Sequence, residues 1–176
     1  MKIMEYGKEV SKTCCFTGMR PQKLSFGFDE SAPDCQKIKE ALEREIRNLI
    51  TEQQVTHFIT GMALGVDQWA AEAVLSLQER FPQITLECAL PCETQAETWT
   101  VKQRERYFGI IEGCSKETLL QNHYTKDCMF KRNRYMVDNS QFVVAVWDGA
   151  LGGTAYTVKY AREKERVVRT IDPSDL

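Results

Sequence analysis

The run Phe142-Val143-Val144-Ala145-Val146-Trp147 is apolar at every position and leads straight into Asp148-Gly149-Ala150-Leu151-Gly152-Gly153-Thr154. Beyond the glycines, Ala155, Val158 and Ala161 recur at helical spacing. A short apolar run bounded by turn residues reads as a strand buried on both faces, as in a parallel sheet. Strand, glycine turn and helix in that order make one unit of an α/β layer. The turn also carries chemistry. The first N–H groups of a helix lack intrahelical partners and bear partial positive charge, which suits an anion. Residues 155–158 contain no acid, so no side chain there neutralises the position. Gly152, Gly153 and Thr154, with Asp148 and Gly149 leading in, form the candidate phosphate loop. An ordinary βα turn, with glycines supplying φ > 0 and Thr154 as N-cap, accounts for the same letters.

The unit repeats along the chain. Hydrophobic spacing predicts strands at residues 13–17, 57–60, 85–90, 118–120, 142–147 and 167–171. It predicts helices at residues 34–52, 67–80, 96–114, 126–138 and 154–165. In the first helix Cys35, Ile38, Leu42, Ile46, Leu49 and Ile50 share one stripe. Strands alternating with helices imply a single α/β, Rossmann-like domain over residues 13–176, its mostly parallel sheet covered by helices on both faces. A chain of 176 residues suits one such domain. Residues 1–12 are mixed and charged and are expected to form a disordered extension.

Composition narrows the function classes. The net charge of −2 supplies no global basic field for nucleic acid. No apolar run approaches the ~18 residues of a membrane span, and the start has no signal-peptide core, so a cytoplasmic protein is expected. Seven cysteines occur without a Cys-x-x-Cys pair, and His57 and His123 stand at no ligand spacing from a cysteine pair, so no metal site is expected. A disulfide framework does not suit a reducing compartment. Cys92, after Pro91, is a candidate reactive thiol, with packing as the plainer role.

Three glycine-containing loops follow predicted strand ends: Gly18-Met19-Arg20-Pro21, Gly61-Met62-Ala63-Leu64-Gly65, and residues 148–154. Open parallel sheets bind ligands at that edge, and a glycine lets a ligand approach the backbone closely. None is a standard fingerprint, since G-x-G-x-x-G and G-x-x-x-x-G-K-[ST] are both absent. Asp67 opens the second predicted helix, where it either caps N–H groups or binds a hydroxyl. Its charge would repel phosphate, so Gly61, Ala63, Gly65 and Asp67 are expected to face a ribose or base. In Met129-Phe130-Lys131-Arg132-Asn133-Arg134-Tyr135-Met136, Arg132 flanks an apolar helix face. Its guanidinium is a candidate phosphate clamp, and a solvated basic face is the alternative.

Together these segments resemble the YpsA/YoqJ-like family of the SLOG superfamily over residues 15–171. The carrying residues are Thr17-Gly18-Met19-Arg20, Thr60-Gly61-Met62-Ala63-Leu64-Gly65-Val66-Asp67, Gln95, Trp99, Arg132 to Asp138, Val146-Trp147-Asp148-Gly149, and Gly152-Gly153-Thr154-Ala155. The resemblance implies a Rossmann-like sheet and a pocket for nucleotide-derived ligands, ADP-ribose or NAD derivatives among them. It also touches the LOG-type phosphoribohydrolases, whose pattern is M-x-x-R-x-x-x-M followed by P-G-G-x-G-T-x-E-E. Met129, Arg132 and Met136 match the first half. In the second half Gly153-Thr154 is present, but Tyr156 and Thr157 stand where the two glutamates would be, and Asp148-Gly149 replaces Pro-Gly-Gly. Cleavage of an N-glycosidic bond needs a carboxylate near the anomeric carbon, so the catalytic residues stay unassigned. Asp148, Glu93 and Asp67 are the acids available near the loops.

The expectation is a small-molecule binding or sensor module whose phosphate rests on Gly152-Gly153-Thr154, helped by Arg20 and Arg132. A phosphoribohydrolase-like enzyme is the first alternative. Binding of single-stranded nucleic acid is the second, since a DprA-type domain is another relative and Lys131, Arg132 and Arg134 form a local basic cluster. Superfamily analogy allows a homodimer, with no interface readable in the letters.

Overall fold

Six short strands hydrogen-bond into one all-parallel sheet in the order β4-β3-β2-β1-β5-β6. They are β1 Thr13–Gly18, β2 His57–Thr60, β3 Thr85–Leu90, β4 Lys116–Leu119, β5 Phe142–Val146 and β6 Val167–Ile171. The helices are α1 Pro33–Gln53, α2 Val66–Leu77, α3 Val101–Gly113, α4 Cys128–Asp138 and α5 Gly153–Glu163. This computed structural model describes residues 9–176. Of the extension expected over residues 1–12, residues 1–8 lie outside the described residues, and Val10–Lys12 forms a 3-10 turn.

Period-2 alternation along each strand sorts the core into two layers. Cys14, Phe16, Phe58, Leu86, Cys88 and Val144 point to one face, against the stripes of α1, α2 and α3. Cys15, Ile59, Ala89 and Val143 point to the other, against Met136 and Val137 of α4 and Ala161 of α5. Ile38, Leu42, Ile46 and Leu49 of α1 are almost wholly buried, and each such side chain contributes about 1.5–3 kcal/mol by leaving water. The expected Rossmann-like α/β architecture with helices on both faces is the architecture found.

Element limits move by a few residues, for local reasons. Helix α3 begins at Val101 because Thr100 and Gln103 form a reciprocal capping box, each side chain bonded to the other's backbone N–H. Strand β5 ends at Val146, where Trp147 turns to bond the Ile171 carbonyl through its N–H. Strand β4 starts at Lys116, two residues before the expected 118, and alternates half-buried with exposed residues as an edge strand does.

The topology leaves one feature that matters for binding. From β1 the chain winds outward through β2, β3 and β4, while β5 and β6 lie on the other side of β1. The order therefore reverses between β1 and β5. The loops leaving these two strands diverge above the sheet, and ligands of open parallel sheets bind in the crevice so formed.

Candidate functional site

Strand β1 delivers Gly18, Met19 and Arg20 to the crevice, and β5 delivers Trp147, Asp148 and the loop to Thr154. A cleft of about 110 Å³ lies between them, completed by Lys23, Asp67, Arg132 and Asn133. The Met19 N–H donates to the Val146 carbonyl at 3.1 Å, so the two loops are tied where they part.

The β5 loop is braced by its own side chains. Asp148 Oδ1 accepts from the Ala150 N–H at 2.9 Å, and Trp147 Nε1 donates to the Ala150 carbonyl at 2.8 Å. Gly149 and Gly152 carry φ of 89° and 144°, values that side chains with a Cβ rarely adopt. The turn drops into α5 with Gly152 as N-cap and no side chain capping it. Thr154, expected as the cap, is the second helical residue. The Tyr156 N–H donates to the Gly152 carbonyl. The N–H groups of Gly153, Thr154 and Ala155 have no acceptor among the described residues. A bare helix N-terminus thus borders the cleft.

Opposite it lies a buried cation. Arg132, on α4, is 2% exposed, yet it forms no ion pair among the described residues. Its Nη1 donates to the Gly61 carbonyl at 2.5 Å and its Nε to Asn133 Oδ1 at 2.9 Å. Burial depresses its pKa from 12.5 to about 10; Asp67 nearby works against the fall and Arg20 adds to it. A charge held out of water without a counter-ion is costly. Gly61 makes the arrangement possible, because a Cβ there would lie 2.7 Å from Arg132 Cζ. Lys23 reaches in from the 3-10 turn Pro21–Lys23, and its Nζ lies 2.9 Å from where a Gly152 Cβ would be. Arg20, Lys23 and Arg132 make three cations against the two acids Asp67 and Asp148.

Asp67 does not cap its helix. Gly65 is the N-cap of α2 at φ 90°, and Asp67 Oδ2 accepts from the Ala63 N–H at 3.2 Å. The middle loop is thereby folded onto its own carboxylate, and of its residues only Asp67 reaches the cleft. Ala63 is buried, Gly65 packs against Pro21, and Gly61 seats Arg132. Gly18 lines the cleft, but its bare Cα chiefly admits Val66, which a Cβ would meet at 2.6 Å. Arg20, Arg132, Asp148, Gly152, Gly153 and Thr154 all line the cleft, and Gly149 shapes the turn behind it. The sequence reading missed Lys23 and Asn133. Lys23 sits in a loop with no periodicity to place it.

At the positions of the LOG glutamates, Tyr156 OH accepts from Arg134 Nε and Nη2, and Thr157 Oγ1 donates to the Gly153 carbonyl at 3.1 Å. Neither lines the cleft. Cys92 is buried, and all seven cysteines are free thiols. No described helix is long and apolar enough to cross a membrane.

A family model, the YspA SLOG family, matches residues 14–176. The chain belongs to the YspA SLOG family. It is 32% identical to the SPbeta prophage-derived protein YoqJ of Bacillus subtilis over 143 residues, covering 74% of this chain and 84% of that protein. A UPF0398 protein of Bacillus pumilus is 30% identical over 153 residues, covering 85% and 81%. Among solved structures, DNA processing protein A from Streptococcus pneumoniae superposes with a TM-score of 0.61 at 16% identity, over 91% of this chain and 50% of that one. The Helicobacter pylori protein of the same name, described for its single-stranded DNA binding mode, gives 0.62 at 16%, over 93% and 66%. The SLOG chain thus spans half to two-thirds of these structural neighbours and shares their fold.

Proposed function

We propose that this SLOG domain is a binding module for a nucleotide or nucleotide-derived ligand, whose phosphate occupies the cleft between β1 and β5. The observation that carries the reading is Arg132, a buried guanidinium at the cleft without an acid partner among the described residues. An anion entering the cleft supplies the missing counter-charge. It also meets the N–H groups of Gly153, Thr154 and Ala155, with Arg20 and Lys23 closing around it. Single-stranded DNA binding by a structural neighbour agrees with a phosphate-bearing ligand. The engagement of Tyr156 and Thr157 elsewhere favours binding over N-glycosidic hydrolysis, since neither position supplies a carboxylate.

Thermal melts with a panel of nucleotides, dinucleotides and ADP-ribose derivatives test this. A ligand at 100 times its Kd stabilises by about 2.7 kcal/mol, which raises the Tm of a domain this size by about 5–10 °C. Gly153→Asp abolishes the rise by placing a carboxylate at the helix N-terminus. Nothing lies within 4 Å of a Gly153 Cβ, so the variant tests charge rather than fit. A panel that shifts nothing, or a shift that survives Gly153→Asp, overturns the proposal.

A further inference from the structure

Next to the phosphate cleft lies a second hollow of about 220 Å³, lined by Arg20, Gln22, Leu64, Gln95, Trp99 and Met129. The two cavities share a wall. Arg20 lines both. Helix α4 contributes Arg132 to the first and, one turn earlier, Met129 to the second. A single carbonyl, that of Gly61, accepts from Arg132 Nη1 on one side and from Gln95 Nε2 at 3.2 Å on the other.

Their linings differ in chemistry. The first is cationic with free N–H groups. The second sets one apolar side, Leu64, Trp99 and Met129, against the polar Arg20, Gln22 and Gln95. Trp99 is half-buried and held edge-on against Tyr107, ring centroids 5.3 Å apart. Gln95 is fixed as well, because Tyr107 OH donates to its Oε1 while its Nε2 is committed to Gly61. A fixed indole with a fixed amide beside it is a surface for a flat ring with polar edges. The first cleft alone is too small for a nucleotide, because sites for ligands of that size occupy about 300–1,000 Å³. The two cavities together reach the lower end of that range.

We infer that the second hollow, walled by Leu64, Trp99 and Met129, is the base subsite of the same ligand whose phosphate occupies the cleft at Arg132 and Gly153. The occupant is the heteroaromatic ring of a nucleoside phosphate, packed on Trp99, with Arg20 bridging ring and phosphate. This rests on the phosphate reading above and extends it from an anion site to a site that demands a base.

Calorimetric titrations of the purified chain with the common nucleoside 5′-monophosphates and with ribose 5-phosphate separate the two readings. Nucleoside monophosphates bind more tightly than ribose 5-phosphate. Trp99→Ala removes a stacking platform and weakens the monophosphates by about 5- to 150-fold, leaving ribose 5-phosphate unchanged. Trp99→Phe restores most of the loss. Melts of the unliganded variants show whether Trp99→Ala has unfolded the protein; if it has, Met129→Ala and Leu64→Ala carry the same comparison. Equal affinity for sugar phosphate and nucleotide, or equal weakening of both, overturns the base subsite while the phosphate site stands. Binding of neither compound overturns the phosphate site and the base subsite with it; loss of both in Gly153→Asp, with no selectivity for a base in the parent, overturns the base subsite alone. A parallel titration with an oligodeoxythymidylate distinguishes the source of the ring. Dependence on Trp99 for the oligomer alone assigns the hollow to a base within a polymer and overturns the free-nucleotide reading.

Discussion

Arg132→Met separates two roles that a buried arginine can have. If Arg132 holds the fold together, its loss destabilises the protein whatever is bound. If it waits for an anion, the unliganded protein carries its cost. Burial brings its pKa down from 12.5 to about 10. At about 1.4 kcal/mol per pKa unit, keeping the group charged in the fold costs on the order of 3 kcal/mol. The sign is destabilising at neutral pH, because a base whose folded pKa lies below its unfolded value resists protonation in the fold. Against this stands the bond to the Gly61 carbonyl, on the order of 1.5–3 kcal/mol for a charged donor; the second bond, to Asn133 Oδ1, ends on a half-buried side chain that water can satisfy in the variant. The Gly61 carbonyl keeps Gln95 Nε2 in the variant. Methionine fills much of the space left by the stem. The two quantities nearly cancel, so unliganded Arg132→Met should match the parent in urea denaturation to within about 1 kcal/mol. Its affinity for a nucleoside monophosphate should fall about 10- to 150-fold by calorimetry, the range for losing hydrogen bonds to a charged group. Loss of several kcal/mol of stability together with unchanged affinity would refute the reasoning and make Arg132 a structural residue.

Two further predictions follow from neighbouring geometry. Gly61→Ala puts a Cβ at 2.7 Å from Arg132 Cζ and Nε, so the guanidinium must leave its seat; ligand affinity should fall with Arg132 still present, and an unchanged dissociation constant would show that the seat is irrelevant. Glu87 is 2% exposed beneath α4. Burial alone would raise its pKa, but hydrogen bonds from His57, Thr118 and Tyr135 outweigh that and hold it down from 4.5 to about 2. Its contribution, on the order of 3 kcal/mol, is complete above pH 4.5 and is lost as pH falls through about 2. Glu87→Gln should therefore be less stable by that order at pH 7 and should flatten the acid limb of a denaturation series over that window; an unchanged limb would place the acid sensitivity elsewhere.

The limits of sequence reading show at particular residues. Strands β2, β3 and β6 were legible to the residue because each is a short apolar or β-branched run between turn signals. The start of α3 was also written in the letters, as Thr-x-x-Gln, but the apolar periodicity before it pointed further upstream. Strand order was not legible, since six parallel strands with similar compositions do not state their neighbours. At the site, each loop glycine marks a place where a ligand could approach the backbone; Gly152 and Gly153 line the cleft, whereas at Gly18 and Gly61 the space is taken by the protein itself. The missing Cβ admits Val66 in one case and Arg132 in the other. A sequence records that something comes close to a glycine; it does not record what. Arg132 was expected at the flank of an apolar face. Its near-complete burial arises because α4 packs over the sheet at the height of Gly61, a relation between segments far apart in the chain.

The pairing of β1 with β5 joins the beginning of the chain to a segment near its end, Gly18 opposite Val146. The cleft between β1 and β5 is therefore walled by stretches far apart in the polypeptide, residues 16–23, Asp67, Arg132 with Asn133, and residues 147–154. The pairing closes a loop that contains the whole excursion from β2 to β4, a non-local contact of the kind that slows folding. An anion that touches both margins acts as a stitch across this seam. On the proposed reading, ligand concentration sets how firmly the two ends of the chain stay closed, because whatever binds only the folded state stabilises it by mass action.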